Sequence, residues 1–395
     1  MKVLVVAGEW FPDRESGFAR VVTDTARWLA QRGHVVSALV PAAEGLPAET
    51  TEGSLTIRRA IARNALPQTF TDVYQTAKRA RNGDGGDYDV VLAHEPGTVV
   101  GATRALPRTP IVQVFHAPHS RELRFDRAHL RRGRERIANL ALESAFVLLE
   151  RAAMRRSNRI LALSDFSRSL IEEDHPAASA RIRRVWGGVD VQRFSPADGQ
   201  AAARKRLELR PDGQLIVTVR RLEPRMGIDR LLQAVRVLRM EQDVPVELAV
   251  VGGGPLERPL RQLAESLGVG SAVRFTGRVD DDELPDWYRA ADLFVLPTVA
   301  YEGFGMVTAE ALATGTPVVG TPIGATPELI APLDPTFVAA AAEAGPLAAA
   351  IAAALRRTGS ELSASCRTYA VARFGWDRTI EGWEAALGEV CTSRA

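Results

Sequence analysis

Two cysteines in 395 residues, Cys366 and Cys391, are too few for a disulfide framework or a cysteine-based metal cluster. Lysine is almost missing: Lys2, Lys78 and Lys205 are the only three among 50 basic residues, so arginine carries the positive charge. The two residue types differ in geometry and hydration, so an arginine in a lysine's place changes a site. Net charge is also nearly absent. Fifty basic against 48 acidic residues leave +2, no footprint of a nucleic-acid binder. No apolar run approaches the roughly 18–20 residues of a membrane span. No charged and apolar leader precedes the first strand-like run, so a soluble, cytoplasmic protein is expected. Nor does a Gly-x-Gly-x-x-Gly follow that run, which argues against a nicotinamide-dinucleotide enzyme. What remains is an ordinary globular composition, 46% hydrophobic and 25% charged, with length for two domains of about 150–200 residues.

The first half reads as strand and helix in alternation. Lys2 to Ala7 is a buried parallel strand, Gly8 to Ser16 a loop, Gly17 to Gln31 a helix, and Val35 to Val40 the next strand. Further strands read at Val90 to Ala93, Ile111 to Phe115 and Ile160 to Leu163. Such a series builds a doubly wound sheet with ligand sites at the carboxyl ends of its strands. Polar residues follow those ends: Glu9 and Trp10, His94 and Glu95, His116 and then His119. Seven arginines between Arg121 and Arg136 read as a solvated helix face, with contact to an anionic acceptor or membrane surface as the less favoured reading. The boundary falls after Trp186-Gly187-Gly188-Val189-Asp190, and a second strand–helix series begins at Ile216. The expected domains are 1–192 and 193–375, with a last helix, 376–395, returning to the first.

The most informative stretch is Tyr301-Glu302-Gly303-Phe304-Gly305-Met306-Val307-Thr308-Ala309-Glu310. A short apolar strand precedes it and a helix from Val307 to Ala313 follows. Gly303 and Gly305 let backbone approach a ligand without a Cβ in the way. The helix start offers unpaired N–H groups and positive dipole, which suit a phosphate. Glu302 and Glu310 would repel that phosphate, so their partners are hydroxyl groups. Phosphates and several hydroxyls on one ligand describe a nucleotide sugar.

These residues, continued through Ala311-Leu312-Ala313-Thr314-Gly315-Thr316-Pro317 and Pro327-Glu328-Leu329, resemble the Glu-x7-Glu motif of retaining GT-B glycosyltransferases, family 4. The resemblance covers nearly the whole chain and is weakest from 42 to 85. It implies two doubly wound Rossmann-like α/β domains facing a central cleft. It also implies transfer of a sugar from a UDP- or GDP-linked donor, with anomeric configuration kept and no cofactor or metal required. By that resemblance Glu302 holds sugar hydroxyls, Glu310 the ribose and His116 the far side of the sugar. Gly17 and the amides from Gly303 to Val307, including Phe304, Gly305 and Met306, cradle phosphate. Gly253, in Gly252-Gly253-Gly254-Pro255, and Arg278 fall on segments beside the nucleotide. Arg221, in Val219-Arg220-Arg221-Leu222-Glu223-Pro224-Arg225-Met226-Gly227, matches the arginine that neutralises the diphosphate. The family's lysine falls on Met226, and Arg225, one residue earlier, is the candidate substitute. Glu9, Trp10, His94, Glu95 and His119 border the expected acceptor region. A small soluble polyol, amino-sugar or aminocyclitol is the favoured acceptor, and a lipid-linked or phosphorylated one the alternative. A nucleotide-sugar epimerase and an inactive nucleotide-sugar-binding protein remain open on the same fold.

Overall fold

The structure is a computed structural model that describes residues 1–14, 16–61, 66–83, 87–126 and 133–392. The chain forms two compact units, each α/β. The first runs to Gly188, apart from a short segment beginning at Arg121, and regains the chain from Trp376. The second holds Val189–Gly375 together with that segment.

In the first unit eight strands line up as β3-β4-β2-β1-β5-β6-β7-β8. They are β1 (Lys2–Val6), β2 (Val35–Pro41), β3 (Glu49–Glu52), β4 (Leu55–Ile61), β5 (Val90–Ala93), β6 (Ile111–Phe115), β7 (Arg159–Ala162) and β8 (Ile182–Arg184). All neighbours pair parallel except the β3–β4 hairpin. Central strands such as Val90–Ala93 are buried throughout, the pattern of a sheet covered on both faces. Helix Gly17–Gln31 starts where Ser16 accepts the Ala19 N–H at 3.0 Å, and buries Val21, Val22, Ala26 and Leu29. The chain order reverses between β1 and β5, which makes their carboxyl ends the topological switch point of this sheet. Helix Trp376–Thr392 is part of this unit. Its Trp383 ring N–H donates to the Trp186 carbonyl at 3.0 Å, and Glu384 accepts from Arg32 at 3.0 Å.

In the second unit the order is β11-β10-β9-β12-β13, all parallel. These are β9 (Gln214–Val219), β10 (Val246–Val251), β11 (Val273–Gly277), β12 (Leu293–Leu296) and β13 (Val318–Gly320). Here the reversal lies between β9 and β12. Residues leaving those two strands, Arg220 onward and Pro297 onward, therefore meet at the second switch point. Glycine makes the meeting close. A Cβ on Gly227, at φ +71°, would stand 1.9 Å from the Pro297 carbonyl oxygen.

Candidate functional site

The loop after β12 is shaped to present Glu302. Gly305 sits at φ +85° and opens helix Met306–Ala313. Gly324, at φ +65°, lets a second loop run under Glu302, where an added Cβ would come 2.4 Å from its carbonyl oxygen. The Ala325 N–H donates to that same oxygen at 2.8 Å. Glu302 is thus held from below by backbone and from the side by an arginine. Arg220 Nη2 donates to Glu302 Oε2 at 2.7 Å and to Thr298 Oγ1 at 2.6 Å. Thr298 Oγ1 in turn donates to Glu302 Oε2 at 3.1 Å. Two of these contacts converge on one carboxylate oxygen, and the third ties the two donors together. Both charged side chains are largely removed from water, 9% exposed for Arg220 and 12% for Glu302.

Glu310, one helix further in, is 4% exposed and accepts the Tyr288 hydroxyl at 2.6 Å. Phe304 points into the core, edge-on to Phe374 with ring centroids 5.8 Å apart, so any ligand contact it makes is through its backbone. Gly253 lies beside Arg278, whose Cγ would be 3.7 Å from an added Cβ. Met306 and Val307 open the helix half-buried.

The cations expected at the diphosphate are each paired with acids. Arg221 is 57% exposed and pairs with Glu223 at 3.3 Å, so Arg220 rather than Arg221 meets Glu302. Arg225 is buried among carboxylates: Glu122 at 3.0 Å, Asp126 at 3.2 Å and Glu223 at 3.9 Å. Burial pushes Glu122 up to about 7 against the pull of Arg225. The arginine-rich stretch therefore does not begin as a solvated face, because its acids Glu122 and Asp126 are engaged by Arg225. Its members Arg127, Arg131 and Arg132 lie outside the described residues. Met226 is 6% exposed and packs as a core side chain.

The first unit gathers a second set at its own switch point. His94 ends β5 and His116 ends β6, with Nδ1 of His94 3.0 Å from Nε2 of His116. Phe18, near the start of the first helix, packs edge-on to His116 at 4.6 Å. Burial lowers His94 to about 3, and burial, with His94 and His119 nearby, lowers His116 as well. Two neutral imidazoles sharing one hydrogen bond are the result. Glu95 accepts the Gly8 N–H at both oxygens, 2.8 and 2.9 Å, and burial raises it to about 8. Burial thus works against its carrying charge, while the Gly8 N–H works for it. Glu9 is engaged by the Ser16 hydroxyl and by Arg14 at 2.8 Å. Trp10 is 1% exposed, inside the core instead of on the loop surface where the sequence suggests it. His119 opens helix His119–Asp126 with its ring 6.4 Å from Phe146. Gly17 is exposed, with open space where a Cβ would be, at the N-terminus of its helix.

Sequence reasoning missed Arg220, Thr298, Tyr288, Phe18 and Gly324. For Arg220 part of the signal was available, since it is the first residue beyond a buried strand, but the strand order that brings it to Glu302 was not. Tyr288 gave none, because a tyrosine in an amphipathic helix reads as core.

Comparison with known proteins follows the same two-part division. Residues 199–373 match the model of glycosyl transferases group 1, and residues 16–193 that of Glycosyltransferase Family 4. The D-inositol 3-phosphate glycosyltransferase of Geodermatophilus obscurus is 31% identical over 389 residues, 92% of this chain and 83% of that protein. Other proteins of that name match over shorter stretches, so the chain spans about half of their length. Among solved structures, sucrose-phosphate synthase from Thermosynechococcus elongatus superposes with a TM-score of 0.82 at 19% identity, covering 100% of both chains. Anabaena HepE, solved with UDP and glucose, gives 0.74 at 20% identity over 98% of this chain and 100% of that one. At such identities these two likenesses speak for the fold.

Proposed function

The chain belongs to the group 1 glycosyltransferases of family 4, and on that premise we propose that it transfers a hexose from a UDP-linked donor to a polyol hydroxyl with retention. The observation that carries this reading is Glu302, one oxygen fixed by Arg220 and Thr298, at the switch point of the second sheet beside a helix N-terminus. A carboxylate so held is an oriented acceptor for sugar hydroxyls, and the amides from Gly303 to Val307 are donors for phosphate oxygens. Glu310 and Tyr288 lie on the same helix-and-sheet framework, where ribose hydroxyls complete the donor.

In this reading the acceptor hydroxyl attacks from the face that the diphosphate leaves, and a leaving phosphate oxygen takes its proton. No protein nucleophile or metal is required. Catalysis is then positioning plus stabilisation of charge as it develops on the diphosphate. His116, kept neutral by burial and by His94, is an uncharged hydrogen-bonding group at the first unit's switch point.

The UDP assignment is supported by HepE, solved with UDP and glucose. For the acceptor, the names of the relatives support D-inositol 3-phosphate, a cyclitol bearing phosphate. Glu95, raised by burial, and Glu9, paired with Arg14, offer little unpaired negative charge, which favours such a polyol over an aminocyclitol cation. No helix among the described residues is long and apolar enough to cross a membrane, and a soluble, cytoplasmic enzyme remains our reading.

The test is UDP release from UDP-glucose with no acceptor, with myo-inositol and with D-inositol 3-phosphate. Release only with a cyclitol supports transfer. Conversion of the donor alone at a comparable rate would identify an epimerase or hydrolase instead.

A further inference from the structure

Arg220 stands between a strand end and the site's key carboxylate, and three observations bear on its role. Its backbone is locked, with its N–H on the Val251 carbonyl at 2.9 Å and Gly252 so close that a Cβ there would lie 2.1 Å from the Arg220 carbonyl oxygen. Its Nη2 is engaged by Thr298 and Glu302, while its Nε is buried without a partner. The neighbouring cations are committed elsewhere: Arg221 outward to Glu223, Arg225 to Glu122 and Asp126, and position 226 is an apolar methionine.

We propose that Arg220 is a positioning residue for the donor sugar, acting through Glu302 and supplying at this point the positive charge that Met226 does not. The proposal rests on the nucleotide-sugar reading above. A carboxylate facing a diphosphate in a site of low dielectric is repelled by it. Paired with Arg220, Glu302 presents a neutral unit, and its Oε1 accepts sugar hydroxyls without adding net negative charge near the leaving group. Because Nη2 holds only Oε2, the carboxylate is fixed in rotation, and the hydroxyl pattern it accepts is fixed with it.

Such a role predicts a separation between nucleotide and sugar. Calorimetry with UDP and with UDP-glucose is the probe, on the full chain and on Arg220→Met, Arg220→Lys, Glu302→Gln and the double variant Arg220→Met/Glu302→Gln. Arg220→Met is expected to weaken UDP-glucose by about 10- to 100-fold, the range of a lost charge-assisted hydrogen bond, and to change UDP by less than about threefold. Arg220→Lys retains most of the UDP-glucose affinity. In the Glu302→Gln background, Arg220→Met costs almost nothing more, because the residue it acts through is already changed. The double variant also leaves no orphaned buried carboxylate, so it stays folded if the single one does not. Equal weakening of UDP and UDP-glucose by Arg220→Met would overturn the proposal, as would additive losses in the double variant. Wild-type protein that binds neither compound would overturn the donor assignment itself, a result distinct from a wild type that binds both and an Arg220→Met variant that matches it.

Discussion

His94 Nδ1 and His116 Nε2 lie 3.0 Å apart at the ends of adjacent parallel strands, in a setting that keeps both rings neutral. His94 is 1% exposed and its Nε2 has no partner, so placing a proton there is costly. The cheaper arrangement leaves Nε2 bare, puts the hydrogen on Nδ1 and has His94 donate to His116. His116 then carries its own hydrogen on Nδ1, as a donor.

Acid should reveal that pair in the protein's stability. His94 stays neutral in the folded protein down to about 3, whereas in the unfolded chain it protonates near 6.5. Between those values the unfolded state binds the extra proton, so stability falls as pH falls and is unaffected above the window. By pH 5 the loss from His94 is about 2 kcal/mol. Urea unfolding of wild type and His94→Gln at pH 7 and pH 5 isolates it as the change in the pH difference between the two proteins, because the carboxyls raised by burial, Glu95 and Glu122, shift stability the opposite way over the same range. An unchanged difference in His94→Gln would show that other groups carry it.

Glu302→Gln keeps shape but loses a charged acceptor of sugar hydroxyls. A loss of about ten- to a hundredfold in kcat/KM is expected, from about 1.5–3 kcal/mol for such a bond. UDP affinity should be nearly unchanged. A variant that bound UDP far more weakly yet turned over normally would show that Glu302 serves the nucleotide instead.

Arg225→Ala should act mainly on stability. Its removal leaves Glu122 and Asp126 without their cation, and breaking a buried pair costs about 3 kcal/mol. The deficit should shrink at pH 5.5, because Glu122, already raised to about 7, then takes a proton and one of the two orphaned charges is removed. Chemical unfolding at both pH values measures it. Unchanged stability at both pH values, with kcat lost, would mean that Arg225 leaves its carboxylates to serve the diphosphate.

Gly324→Ala tests whether the loop under Glu302 is part of the site. The new Cβ would meet Glu302 backbone at 2.4 and 2.7 Å, and φ +65° adds strain. Loss of kcat/KM should exceed tenfold with UDP binding kept, since a displacement of about 1 Å at a positioning residue can cost about a hundredfold. Steady-state kinetics beside UDP calorimetry separates the two.

Much of the fold was legible because its strands are short and wholly apolar. Val90–Ala93 and Ile111–Phe115 fall where the sequence placed them, and so does helix Gly17–Gln31 with its serine cap. The β3–β4 hairpin was not legible, since Glu49-Thr50-Thr51-Glu52 is polar and lies at the sheet edge, where no face demands an apolar residue. Alanine content marks the helix Ala344–Leu355 by propensity, but not where it begins. In the site, Glu302 and Glu310 were readable from spacing, but their partners were not. Arg220 and Tyr288 are brought to them by strand order and helix packing across 82 and 22 residues, relationships that no local pattern encodes.

The central claim is retaining transfer of a hexose to a polyol, and proton NMR of the product made from UDP-glucose and D-inositol 3-phosphate tests it most directly. The account predicts a new glycoside whose anomeric proton shows the small axial–equatorial coupling of the α configuration already present in the donor, formed in step with UDP. A large diaxial coupling, or donor consumed with no glycoside formed, would contradict it.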